Sequence, residues 1–214
     1  MRRHLLIYVN RQRFEISGAD TFLSLTTWLR DHLGLCGTKV VCAEGDCGSC
    51  TVLLGRPEEG TIQYVTVCAC IQYLFQLDCV HVVTIEGLKY GTELNPIQTA
   101  MVQHHGAQCG FCTPGIVVGM YHLFAVRELP TAPMDSQMLT RGLVGNLCRC
   151  TGYQSILKAG LAVDPAAIRP IRMLQESATI HADLMRCESD EVYVEARGQS
   201  LYKQIGRASC RERV

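Results

Sequence analysis

Short apolar runs broken by Gly and Asn open the chain, and helical spacing replaces them past its midpoint. Leu5–Val9 and residues 13–16, joined by Asn10-Arg11-Gln12, predict a β-hairpin. Leu25, Trp28, Leu29, His32 and Leu33 recur at helical spacing, with Gly34 as the stop. A loop rich in Gly and Cys runs from Cys36 to Cys50. Residues 51–54, 62–67 and 80–85 predict further strands, with a short turn of helix near residues 70–74. These elements make a small α+β module that ends near Glu86-Gly87.

Helices dominate the next stretch. Asn95-Pro96 starts one, Asn as N-cap and Pro at the first helical position, with Ile97, Ala100, Met101 and His104 on one face and Gly106 just past its end. A second starts at Thr113-Pro114 and runs to about Val126, a third covers residues 135–143, and a fourth covers 153–163 after Thr151-Gly152. Four short helices with brief connections predict a compact bundle. From Asp164 the sequence loosens into a Pro- and Ala-containing linker, and residues 191–196 predict one more strand. Residues 205–214 have no apolar periodicity and read as a translated library adapter, Cys210 included, so the expected natural protein is longer.

A length of 214 residues allows about two small domains. Lys plus Arg and Asp plus Glu balance at 20 each, which gives no global field for nucleic acid or an anionic membrane. Leu5–Val9 is too short for a signal-peptide core, and no stretch approaches the roughly 20 apolar residues of a membrane span. A soluble, cytoplasmic protein is expected. Its 13 cysteines then change the picture, because in a reducing compartment closely spaced cysteines bind metal more often than they pair as disulfides.

Cys42, Cys47 and Cys50 stand as C-x4-C-x2-C, which with a later fourth cysteine is the plant-type ferredoxin spacing for a [2Fe–2S] cluster. Such a cluster is anionic, so its loop must aim backbone N–H groups at sulfur, and Gly45 and Gly48 permit the close approach this needs. Cys68 and Cys70 are both candidates for the fourth ligand. Cys109-Gly-Phe-Cys112 and Cys148-Arg-Cys150 form a second set, each pair running into a predicted helix start. Two helix N-termini would present free N–H groups to one anionic centre, which suits an iron–sulfur cluster or a zinc tetrathiolate. Arg149 lies between two candidate ligands, either tuning the centre or simply solvated. Cys36, Cys68, Cys79 and Cys187 outside these sets read as small buried hydrophobes, as Tyr64, Tyr73 and Phe75 read as core; His104-His105 reads as one bundle-facing and one solvated side chain.

These motifs carry a family likeness. Cys42-x4-Cys47-Gly-Ser-Cys50-Thr-Val-Leu-Leu, Ala69-Cys70-Ile71 and Val83-Thr-Ile-Glu-Gly-Leu88 resemble the N-terminal iron–sulfur domain of the xanthine oxidase family of molybdenum hydroxylases. Gln108-Cys-Gly-Phe-Cys-Thr-Pro-Gly115 and Gly145-Asn-Leu-Cys-Arg-Cys-Thr-Gly-Tyr153 resemble its second, helical domain. The likeness spans residues 5–163 and is greatest to small subunits of the bacterial xanthine dehydrogenase type, which also carry an FAD domain.

The resemblance implies an α+β fold with a β-grasp plant-type [2Fe–2S] ferredoxin domain over 1–87 and an all-α four-helix [2Fe–2S] domain over 88–163. Residues 164–204 would be a linker and the incomplete start of an FAD-binding domain. It implies one cluster on Cys42, Cys47, Cys50 and Cys70 and another on Cys109, Cys112, Cys148 and Cys150, with Gln108 approaching a molybdenum–pterin cofactor on a large partner subunit. Electrons would pass from that centre through both clusters toward FAD and NAD⁺. No group of this chain performs bond-making chemistry in that scheme. Another molybdenum hydroxylase, acting on carbon monoxide, aldehydes or N-heterocycles, is the near alternative, and a zinc-binding interaction module the distant one. Where the family has Glu-Gly before its first cluster cysteine, this chain has Val40-Val41, and a β-branched residue held at positive φ would strain the loop. Cys68 stands where the family commonly has asparagine.

Overall fold

β1 (Leu5–Val9) is buried along its whole length, which explains its unbroken apolar run. Leu5, Ile7 and Val9 face one core while Leu6 and Tyr8 face another. The computed structural model describes residues 1–126, 134–175, 177–196 and 199–203. The adapter-like residues 205–214 lie outside them.

The chain forms a mixed α/β structure. β1 pairs antiparallel with β2 (Gln12–Ile16) through a two-residue turn, Asn10-Arg11, one residue tighter than predicted. β3 (Thr51–Glu58) and β4 (Thr61–Cys68) form a second hairpin, and β5 (Val80–Val83) lies between the two hairpins, parallel to β1 and antiparallel to β3. The sheet order is β2-β1-β5-β3-β4. Against one face packs α1 (Leu25–Thr27), which continues as a π turn over Trp28–His32 and buries Leu25, Trp28 and Leu29. The Ser24 hydroxyl accepts the Thr27 N–H at its start.

Helices cover the other face. α2 (Pro96–Gln103) starts at Asn95, the predicted N-cap, which forms a capping box with Gln98. α3 (Thr113–Tyr121) is the central helix, buried from Gly115 to Tyr121, and α4 (Ser136–Gly142) and α5 (Gln154–Leu161) complete the group. The stretch read as a linker contains two helices, α6 (Ile171–Leu174) and α7 (Ser177–Glu188). Ile180, Leu184 and Cys187 repeat at i, i+4 and i+7, and this narrow stripe packs into the core shared by the sheet and the other helices. Asp183 on α7 accepts hydrogen bonds from Tyr8 Oη and Arg13 Nε, both at 2.9 Å. The predicted final strand exists as β6 (Val192–Ala196), paired with β7 (Gln199–Lys203) and bridged to Arg2. Tyr73 and Phe75 are not core: they stack on each other near the surface, with Tyr73 exposed, while Tyr64 is buried.

His81 on β5 is fully buried. Its Nε2–H donates to the Asn10 carbonyl at 2.5 Å, so Nδ1 accepts the Tyr64 hydroxyl at 2.7 Å, and the ring is a fixed neutral tautomer. Burial, opposed by the Asn10 carbonyl, pushes its pKa down to about 4. The unfolded chain therefore binds this proton first as pH falls, near pH ~6.5, and the folded chain only near 4. Stability should fall through that window by on the order of 3 kcal/mol. Denaturant unfolding at several pH values should show this slope in the wild type and a flatter one in His81→Gln.

Among the described residues no helix is long and apolar enough to cross a membrane.

Candidate metal centres

The loop from Cys36 to Cys50 curls because three of its residues are left-handed: Ala43 (φ 59°), Gly45 (φ 83°) and Gly48 (φ 68°). Val40 and Val41 are not among them, so the strain expected at these valines is absent; they are simply exposed. The curl turns N–H groups inward. The Cys47 N–H donates to Cys42 Sγ at 3.4 Å, and the Cys70 N–H donates to Cys50 Sγ at 3.5 Å. Hydrogen bonds from the backbone of Glu44 and Cys47 pull the Cys42 thiol down to about 6. Burial, then the Cys50 thiol, pushes Cys70 up to about 12, and burial also raises Cys50. Cys42, Cys47, Cys50 and Cys70 thus gather along one rim of the loop. Cys68 shares it too, donating to the Gly45 carbonyl at 3.4 Å.

The second group forms where two chain segments meet. Cys109 and Cys112 lead into α3, with Gly110 left-handed between them, and Cys148 and Cys150 precede α5. Cys150 Sγ lies 3.6 Å from Cys109 Sγ, and the Cys112 and Cys148 thiols are hydrogen-bonded to each other. Tyr153 pins the C-x-C segment: its hydroxyl accepts the Cys148 N–H at 2.8 Å and donates to the Asn146 carbonyl. Burial opposes ionisation of Cys148, but the Thr151 hydroxyl, 3.2 Å from its sulfur, and nearby N–H groups bring its pKa below the usual thiol value. Burial first, then Cys148, pushes Cys112 up to about 12. Cys109 and Cys150 are exposed, so this group opens to solvent on one side.

The two groups adjoin. The Leu147 N–H donates to the Cys47 carbonyl at 2.9 Å, and Asn146 Nδ2 donates to the Gly48 carbonyl at 2.9 Å. A Cβ on Gly48 would run into the Gly145 carbonyl, and one on Gly115 would run into the Gly48 carbonyl. Only hydrogen at these positions lets the loops close. Among the described residues no three or more His, Cys, Asp or Glu side chains are closed around a single metal ion. Four thiols per group, with N–H groups aimed at sulfur in the first and a hydroxyl and N–H groups in the second, fit an anionic iron–sulfide unit.

Comparison with known proteins extends this. Residues 84–161 match the family model of a [2Fe–2S] binding domain. The chain is 41% identical over 156 residues to xanthine dehydrogenase/oxidase of Mus musculus, covering 72% of this chain and 11% of that protein. It is 43% identical over 159 residues to aldehyde oxidase 1 of Cavia porcellus, covering 73% and 12%. Its fold matches a chain of quinoline 2-oxidoreductase from Pseudomonas putida 86 at TM-score 0.63 and 32% identity, over 80% of this chain and 97% of that one. The chain belongs to the molybdenum hydroxylase family. It spans about a tenth of the length of the curated relatives, 11% and 12% of the two above, so this molybdenum hydroxylase chain corresponds to a [2Fe–2S] electron-transfer portion of such an enzyme.

Of the residues singled out in the sequence, Gln108 and Arg149 are exposed beside the second group, and His104 is half-buried while His105 is exposed. Cys79 and Cys187 are buried, as small hydrophobes would be, but Cys36 is exposed. Asn146, Thr151 and Tyr153 hold the molybdenum hydroxylase loops without any signal in their spacing. The quoted motifs contained them; only the fold gives them partners.

Proposed function

We propose that the chain holds two [2Fe–2S] clusters, one on Cys42, Cys47, Cys50 and Cys70 and one on Cys109, Cys112, Cys148 and Cys150. In this reading it is the electron-transfer iron–sulfur portion of a xanthine dehydrogenase, working between a molybdenum–pterin centre on a partner subunit and FAD and NAD⁺. Residues 1–87 are then a β-grasp ferredoxin-like domain, 88–163 a four-helix domain, and 164–204 the approach to an FAD domain. The observation that carries this is the hydrogen bond from Leu147 to the Cys47 carbonyl, which joins two four-thiol groups through the neighbours of their own cysteines.

Bound [2Fe–2S] clusters supply one-electron chemistry. The chain's residues do the rest. N–H groups from Cys47 and Cys70 lower the electron density on sulfur and so favour the reduced state. Asn146 and Tyr153 fix the loop before Cys148 so that it stays against the first group. Exposed Cys109 and Cys150 leave the second group accessible to a partner on the side where Gln108 lies, which supports its approach to the pterin. A substrate other than xanthine is the second reading, favoured by the equal likeness to aldehyde oxidase.

The purified chain, reconstituted anaerobically and reduced with dithionite, should take up about two electrons, one for each cluster. It should oxidise no xanthine by itself. Uptake of no electrons, or measurable xanthine turnover, contradicts the reading.

A further inference from the structure

The first group contains one thiol more than a cluster needs. β4 ends at Cys68, paired with Thr51, and the chain then makes a 3₁₀ turn over Ala69–Ile71. Ala69 is fully buried, and its N–H donates to the Cys50 carbonyl at 3.2 Å. That anchor leaves Cys68 and Cys70, the residues on either side, projecting toward the same rim. Both meet Cys50 and the backbone of Gly45. Cys68 Sγ donates to the Gly45 carbonyl at 3.4 Å and its thiol hydrogen-bonds the Cys50 thiol. Cys70 also hydrogen-bonds the Cys50 thiol and meets the backbone of Gly45. Cys68 further lies within electrostatic reach of Cys42, Cys47 and Cys70.

We propose that the first centre is a five-thiol site in which Cys68 is a second ligand-competent donor, able to supply the fourth thiolate in place of Cys70. The inference rests on the two-cluster reading above. In the exchange the iron–sulfur bond to Cys70 breaks, one to Cys68 forms, and the proton of the Cys68 thiol passes to the Cys70 thiolate. No electron is gained or lost.

The test uses the full chain, reconstituted anaerobically with iron and sulfide, and reads iron, sulfide and the electron paramagnetic resonance of the reduced protein. Alanine is the replacement, since a serine oxygen can itself ligate iron. The wild type and Cys70→Ala should both bind about four irons, with a shifted first-centre signal in the variant. Cys68→Ala/Cys70→Ala should bind about two, with only the helical-centre signal left. That helical signal reports in the same sample that the chain has folded. If Cys70→Ala alone falls to the level of the double variant, the proposal is overturned while the two-cluster reading stands. A wild type without a first cluster removes both. Where alanine costs the helical signal as well, Cys70→Ser decides. Its spectrum should keep all-thiolate character and change when Cys68→Ala is added; identical spectra overturn the proposal.

Discussion

Cys148→Ala should empty the helical centre and leave the loop centre loaded, and Cys47→Ala should do the reverse. Cys148→Ala leaves three thiolates at the helical site. At the loop site Cys68 stands beside Cys70 and replaces that ligand alone. Neither variant keeps all four ligand positions filled, so each should cost about two of four irons. The sites adjoin through backbone, not through shared ligands: the Cys47 carbonyl that accepts the Leu147 N–H survives replacement of the Cys47 side chain. Iron analysis with the reduced-state magnetic resonance spectrum distinguishes the two losses. If either variant lost both signals, the two four-thiol groups would not be independent centres.

Gly48→Ala should destabilise the loaded chain by on the order of 3 kcal/mol. A left-handed residue other than glycine costs about 1–2 kcal/mol, and here the new methyl also meets the Gly145 carbonyl and the Asn146 side chain. Gly60→Ala separates the two contributions. Gly60 is equally left-handed, at φ 82°, in the β3–β4 turn, but a Cβ there meets nothing within 4 Å. Its replacement should cost only about 1–2 kcal/mol. Denaturant unfolding of both variants checks the difference; equal costs would mean that the two cysteine loops are not pressed together.

Local chemistry was legible in the sequence wherever neighbours in the chain decide it. The Asn95 N-cap, the strands flanking the cysteine loop and the left-handed Gly45 and Gly48 all rest on contacts within a few residues. Long-range contacts were not legible. Asn146 reaches Gly48 across 98 residues, and nothing in its spacing announces that. α7 escaped notice because its apolar stripe is only Ile180, Leu184 and Cys187, set among His181, Asp183 and Arg186; it is helical because β1, β3 and β4 offer that stripe a surface. The strain expected at Val40-Val41 fails for a local reason: the loop takes its left-handed turn later, at Ala43. At the end of α2 it is His105, φ 53°, that turns left-handed, not Gly106, which stays buried against Met101. Cys68 and Cys70 were both open as the fourth ligand from spacing, and only the family resemblance preferred Cys70; the turn at Ala69 brings both to the rim.

The most direct test of the two-cluster account is metal and acid-labile sulfide analysis of the anaerobically reconstituted wild-type chain, with its visible and reduced-state magnetic resonance spectra. The account predicts about four irons and four sulfides per chain, a brown protein, and two distinguishable one-electron signals. A colourless chain that binds zinc and no sulfide contradicts it.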